Sequence, residues 1–178
     1  MKKIISVLIV IVVLLTSCKH KSTNNFFNTL SMHCGKTYVG KTVFPDDPTH
    51  DFAGKKLVMH VAECSDTEIR IPFKVGKDTS RTWIISKTIN GLLLKHDHRH
   101  ADGTPDEITM YGGYADTNSS ATTHNFVADA YTAKLLPEAQ TNVWILSFDK
   151  NNTQFSYYLK RHNQPRYKAI FAITQISI

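Results

Sequence analysis

The chain has 178 residues, 42% of them hydrophobic and 10% aromatic, which is enough apolar material for one domain with a sizeable core and too much for a disordered chain. Lys and Arg number 21 against 15 Asp and Glu, a formal net charge of +6, but the excess is scattered in short groups such as Lys55-Lys56, Lys160-Arg161 and Arg166 to Lys168. A nucleic-acid binder concentrates such charge in a dense stripe with interleaved aromatics, so nucleic acid is not an expected partner.

The first element is an export segment. Met1-Lys2-Lys3 is a basic head, and Ile4 to Leu15 is an apolar run interrupted only by Ser6. As a helix it would span about 18 Å, short of the roughly 30 Å hydrocarbon core of a bilayer, which reads as a signal sequence and not a spanning helix. The run ends in Leu15-Thr16-Ser17-Cys18, which resembles the lipobox of bacterial lipoprotein signals. The resemblance covers residues 1–18 alone and leaves the rest of the chain unassigned to any family. It implies cleavage before Cys18, lipidation of that cysteine, and a membrane partner through the lipid. Lys19 stands where lipoproteins retained at the inner membrane carry aspartate, so the resemblance favours the outer membrane within the cell envelope. An ordinary cleaved signal with an incidental Cys18 is the alternative.

Residues 1–17 are thus read as the signal, 18–31 as a tether and 32–178 as a single β-rich domain. Lys19 to Ser31 is polar, with Phe26, Phe27 and Leu30 available to dock on the domain. Two further cysteines, Cys34 and Cys64, would meet an oxidising compartment after export, so a disulfide between them is expected. Two buried thiols are the alternative.

From Lys36 onward the pattern has a period of two. Ile69, Ile71, Phe73 and Val75 alternate with Glu68, Arg70, Pro72 and Lys74, and Phe155, Tyr157 and Leu159 alternate with Ser156, Tyr158 and Lys160. Such alternation predicts strands with one buried face. Further strands are predicted at 37–44, 56–62, 81–87, 91–98, 107–111, 123–127, 142–148 and 166–174, separated by turns such as Asp46-Asp47-Pro48, Asn90-Gly91 and Asn151-Asn152. One short helix is predicted near 129–136, with Asp129 as its N-cap and Pro137 closing it. The fold class is therefore all-β, an antiparallel barrel or sandwich, with a lipocalin-like up-and-down barrel preferred.

One segment carries candidate chemistry. If the strand begun at Leu92 continues, His96, His98 and His100 share the face of Leu92 and Leu94, while Asp97 and Arg99 point the other way. Imidazoles two residues apart on a strand can share zinc or another transition metal, with His60 or His124 as a third ligand from another strand. An open position on such a metal would activate water. The segment departs from familiar metal motifs: His98-Arg99-His100-Ala101-Asp102 is similar to the start of the metallo-β-lactamase pattern, but Gly103 replaces its last histidine. The other reading is a hydrogen-bonded, pH-sensitive hairpin end built with Asp97, Arg99, Asp102 and Asp106. His50 among Asp46, Asp47 and Asp51 resembles a cation loop only loosely. Trp83, Trp144, Tyr157 and Tyr158 either line a ligand cavity or fill the core.

The expected function is a membrane-anchored envelope protein whose barrel or sandwich binds a small apolar or amphipathic ligand, or an envelope protein. A metal-dependent enzyme using His96, His98 and His100 is the alternative.

Overall fold

The structure is a computed structural model and describes residues 25–173. The signal, Cys18 and the start of the tether lie outside the described residues, as does Thr174 at the end of the last predicted strand.

The alternating segments form antiparallel strands in chain order: β1 (Thr37–Phe44), β2 (Leu57–His60), β3 (Glu63–Cys64), β4 (Glu68–Val75), β5 (Asp78–Thr88), β6 (Gly91–His98), β7 (Tyr111–Tyr114), β8 (Thr123–Val127), β9 (Val143–Phe148), β10 (Gln154–Arg161) and β11 (Gln164–Ala172). Around the sheet the strands follow one another in chain order, with β2 pairing directly with β4 past β3, a short branch on β4; β1 also pairs with β11, and among the described residues no ladder joins β7 to β8. An antiparallel bridge between Ala115 and Phe126 joins the ends of the sheet after β7 and within β8. The result is a nearly closed up-and-down barrel of ten strands, with two more staves than the eight of a lipocalin.

The interior takes the apolar parity of each strand. Ile69, Ile71, Phe73 and Val75 are buried, while Glu68, Arg70, Pro72 and Lys74 face outward. A barrel that spans a membrane needs the opposite arrangement, with an apolar outer band. Among the described residues, no helix is long and apolar enough to cross a membrane.

Gly112 and Gly113, just past the strand predicted at 107–111, lie inside a strand. The strand predicted at Glu107 to Tyr111 begins only at Tyr111 and runs through Gly112 and Gly113. Asp106 accepts a hydrogen bond from the Ile108 amide at 2.8 Å, which turns the preceding residues into a loop. Gly112 and Gly113 are needed because the chain is crowded at the barrel seam: a Cβ on Gly112 would lie 2.0 Å from the Leu94 carbonyl oxygen, and one on Gly113 would lie 1.7 Å from that of Val127.

Helix α2 (Ala130–Leu135) clamps this seam. Asp129 caps it by accepting from the Thr132 amide at 2.8 Å and takes Lys95 Nζ at 2.5 Å. The buried Thr132 hydroxyl donates to the Gly112 carbonyl at 2.8 Å and accepts the Gly112 amide at 2.7 Å.

In an up-and-down barrel the connections alternate between two ends. One end is plugged. Residues 25–31, expected to belong to a polar tether, form helix α1 instead. Phe26, Phe27 and Leu30 lie on one helical stripe and are wholly buried, so docking outweighs the polar composition around them. The Phe26 ring sits 4.5 Å from the His124 ring and 5.6 Å from that of Phe148. The Cys34–Cys64 disulfide ties the chain after α1 to β3, across 30 residues of sequence.

The other end is open, and three strand pairs lose their regular register near it. Register shifts fall between Thr42 and Phe44, Phe73 and Val75, and Leu159 and Lys160, all next to this end. Such irregularities bend strands and are common at barrel rims.

Candidate functional site

The open end holds a cavity of about 260 Å³. Its floor follows from the interior parity of the strands: Phe73 from β4, Trp83 from β5, His96 from β6, Trp144 from β9 and Tyr157 from β10 all point inward. Tyr111 and Leu159 complete the lower wall. Parallel rings lock the floor. Trp83 stacks between Phe73 at 4.6 Å and Tyr157 at 4.8 Å, and His96 stacks on Tyr111 at 4.7 Å.

The polar atoms on this floor are satisfied within it. His96 Nδ1 faces the Tyr111 carbonyl oxygen at 3.2 Å, and a carbonyl can only accept, so Nδ1 carries the proton. Nε2 therefore accepts from the Tyr157 hydroxyl at 3.0 Å. Burial pushes the His96 imidazole down to about 3, against the smaller opposing effect of the Tyr111 carbonyl. Burial likewise pushes the Tyr111 phenol up to about 12 and raises Tyr157 well above its ordinary value. The floor is thus neutral at pH 7.

Cations stand above it. Arg81, Arg161 and Arg166 line the cavity, and the 45–56 loop adds His50, Asp51 and Phe52. Arg81 pairs with Asp78 and lies 5.3 Å above the Phe52 ring. Burial would raise Asp78, but hydrogen bonds from Ser80 and Arg81 and the Arg81 charge outweigh it and hold the carboxyl at about 2. Arg161 Nε donates to Asn142 Oδ1 at 2.9 Å. His98 Nε2 and the Tyr111 hydroxyl meet at 3.1 Å, and burial, reinforced by Arg81, lowers the His98 imidazole despite three nearby aspartates.

The parity expected for the histidines holds for His96 and His98, but the five histidines do not assemble into a metal centre. Both His96 nitrogens are engaged by protein groups. His98 lies at the rim, and His100 has left the strand and is exposed. His60 uses Nδ1 on the Thr37 hydroxyl at 2.9 Å and the Lys36 carbonyl at 3.2 Å. His124 sits under α1 at the plugged end, its Nδ1 buried without a partner. Among the described residues, the only ligand trio within 4.8 Å is His100, Asp106 and Glu107, a surface group.

Asp97 belongs to the outer surface of the barrel, as its parity requires, yet it is buried there. Arg99 Nε reaches both of its oxygens at 3.1 Å, Arg70 approaches at 3.4 Å and the Thr109 hydroxyl donates at 3.2 Å. Asp97 and Arg99 are thus hydrogen-bonded to each other, but on the opposite side of the wall from the cavity, and His96 and His98 are not part of that cluster.

The arginines, Tyr167 and Asn142 were not singled out by sequence. Two were within reach of it: Arg81 continues the inward set of Ile85 and Trp83, and Arg161 continues that of Phe155, Tyr157 and Leu159. No protein-family model matches the chain, and no curated protein and no solved structure matches it either.

Proposed function

We propose that the protein is a binding protein of the cell envelope, anchored through Cys18, whose barrel mouth holds a small amphipathic ligand. The observation that carries this reading is the 260 Å³ cavity itself, an aromatic floor under a polar rim at the one end of the barrel that α1 leaves open. Apolar walls with a few fixed polar groups are the usual makeup of small-molecule sites. The floor has no unpaired nucleophile or general base, because its imidazole and phenols are neutral and hydrogen-bonded to one another. Binding, not bond-breaking, is what such a surface does best.

The envelope location rests on the lipobox-like residues Leu15 to Cys18. An anchored barrel of this kind would collect or carry a ligand outside the cytoplasm.

Fluorescence of Trp83 and Trp144 reports on the cavity directly. The full chain, purified in detergent with protein-free micelles as the blank, is titrated with 2-naphthalenemethanol and with 2-naphthoate. Saturable quenching by either probe, lost when Leu159→Trp fills the cavity, is the expected result. Failure of both probes to bind saturably overturns the reading.

A further inference from the structure

We infer that the ligand is a compact aryl anion, a carboxylate or sulfonate carried on one or two aromatic rings, with its charge placed at Arg161 and Arg166. This inference rests on the mouth cavity being a binding site and adds the chemical class of its occupant.

Charge decides the first part. Arg81 is already neutralised by Asp78. Among the described residues, no carboxylate lies within 4.0 Å of Arg161 or Arg166. Both line the cavity, one on each arm of the β10–β11 hairpin, where Arg161 pairs with Gln164. Asn142 fixes Arg161 through Nε, which leaves its two terminal nitrogens for an incoming anion. A guanidinium held this way is pre-set for planar, two-point recognition of a carboxylate or sulfonate. Asp51 is the single acidic residue of the lining, so the rim keeps a positive excess. The Tyr167 phenol in the same lining, held neutral by burial, can donate a hydrogen bond to an anion and does not repel it.

Size and wall chemistry decide the second part. About 260 Å³ falls just under the roughly 300 to 1,000 Å³ of drug-sized pockets, which leaves no room for a long acyl chain. The walls are rings in fixed stacks, which resist the repacking that a flexible chain would demand and offer edges and faces to another ring.

The same titration, extended to octanoate, tests this class separately from the binding role. The expected result is 2-naphthoate binding at least tenfold more tightly than 2-naphthalenemethanol or octanoate. Arg161→Gln and the more exposed Arg166→Gln should each bring the naphthoate preference down severalfold, and the double variant should bring it near unity. Arg99→Gln, on the outer surface, should leave it unchanged. Near-UV circular dichroism confirms that each variant retains its packed aromatic core, and Arg166→Gln carries the test alone if Arg161→Gln fails it. Equal affinity for the naphthoate and the alcohol overturns the anion assignment while leaving the binding role intact. Octanoate matching naphthoate overturns the aryl assignment. A preference that survives in the folded variants removes Arg161 and Arg166 from the site.

Discussion

Tyr157 and His96 share one hydrogen bond across the barrel floor, 3.0 Å from Oη to Nε2, and the Tyr111 carbonyl on the far side of the imidazole leaves the ring a single tautomer. The pair packs between Trp83 and Trp144 at the base of the cavity. Protonating His96 would bury a charge in an apolar wall and force the Tyr157 hydroxyl to turn from donor to acceptor, so the neutral form is favoured by the fold.

Acid should therefore weaken the protein before its carboxylates titrate. The folded His96 imidazole lies at about 3, whereas an unfolded histidine lies at roughly 6.5. The unfolded chain takes the proton first, so the contribution of His96 is complete above pH 6.5 and fades as pH falls toward 3, by about 1.4 kcal/mol per pH unit. His124, held at about 4 by burial, acts in the same direction. Urea unfolding at pH 6.5 and 5 should show a loss of about 2 kcal/mol from His96 alone. His96→Gln should flatten that dependence by the same amount; a slope identical to wild type would remove His96 from the acid response.

The seam of the barrel makes a second prediction. Gly113→Ala would drive a Cβ into the Val127 carbonyl, a backbone atom that cannot step aside. A loss of about 3 kcal/mol or more is expected, at or beyond the upper end of ordinary overpacking. Chemical denaturation measures it, and a change below about 1 kcal/mol would mean that β7 and β8 stand further apart than described.

Joining Cys34 to Cys64 closes a loop of 30 residues. On the chain-entropy account this stabilises the fold by roughly 3 to 4 kcal/mol. The Cys34→Ser, Cys64→Ser double variant should unfold at correspondingly lower denaturant, and the native protein should show no reaction of these two thiols with an alkylating reagent until reduced. Free thiols in the unreduced protein would contradict the pairing.

Cys18→Ala should leave the unprocessed chain without its lipid. Mass spectrometry of the mature N-terminus is expected to find a diacylglyceryl adduct on Cys18 in the native protein alone. An unmodified N-terminus elsewhere in the chain would point to ordinary signal cleavage.

Most of the barrel was legible because its strands bury one face. Glu68 to Val75, Gly91 to His98 and Thr123 to Val127 begin and end where their alternation does. Where local signals competed, legibility failed. Gly112-Gly113 lies past the predicted end of a strand at Tyr111, and only the carbonyls of Leu94 and Val127, distant in sequence, require glycine there. The two-residue β3 is too short to alternate and exists because Glu63 and Cys64 meet Arg70 and Ile69. Phe26, Phe27 and Leu30 were visible as apolar residues, but a helix needs a surface to dock on, and that surface is the barrel itself. The face was legible for His96 and His98 but not for His100, which lies past the end of the strand; their neighbours were not legible, because which strand ends lie across the mouth is a property of the closed ring. Arg166 is the clearest case, since it enters the cavity from the turn end of β11, opposite in parity to the inward Tyr167.

The position of α1 also sets which way the molecule would face if Cys18 carries a lipid. The chain enters the barrel at its sealed base, and the stretch from Cys18 to residue 25 can reach about 25 Å at most when fully extended. A lipid on Cys18 would hold that base toward the bilayer, and the molecule would then stand like a cup on its foot, with its lip about one strand length further out. Its occupant would then be drawn from the aqueous side, and a molecule dissolved among the acyl chains would have to leave them before it could be caught.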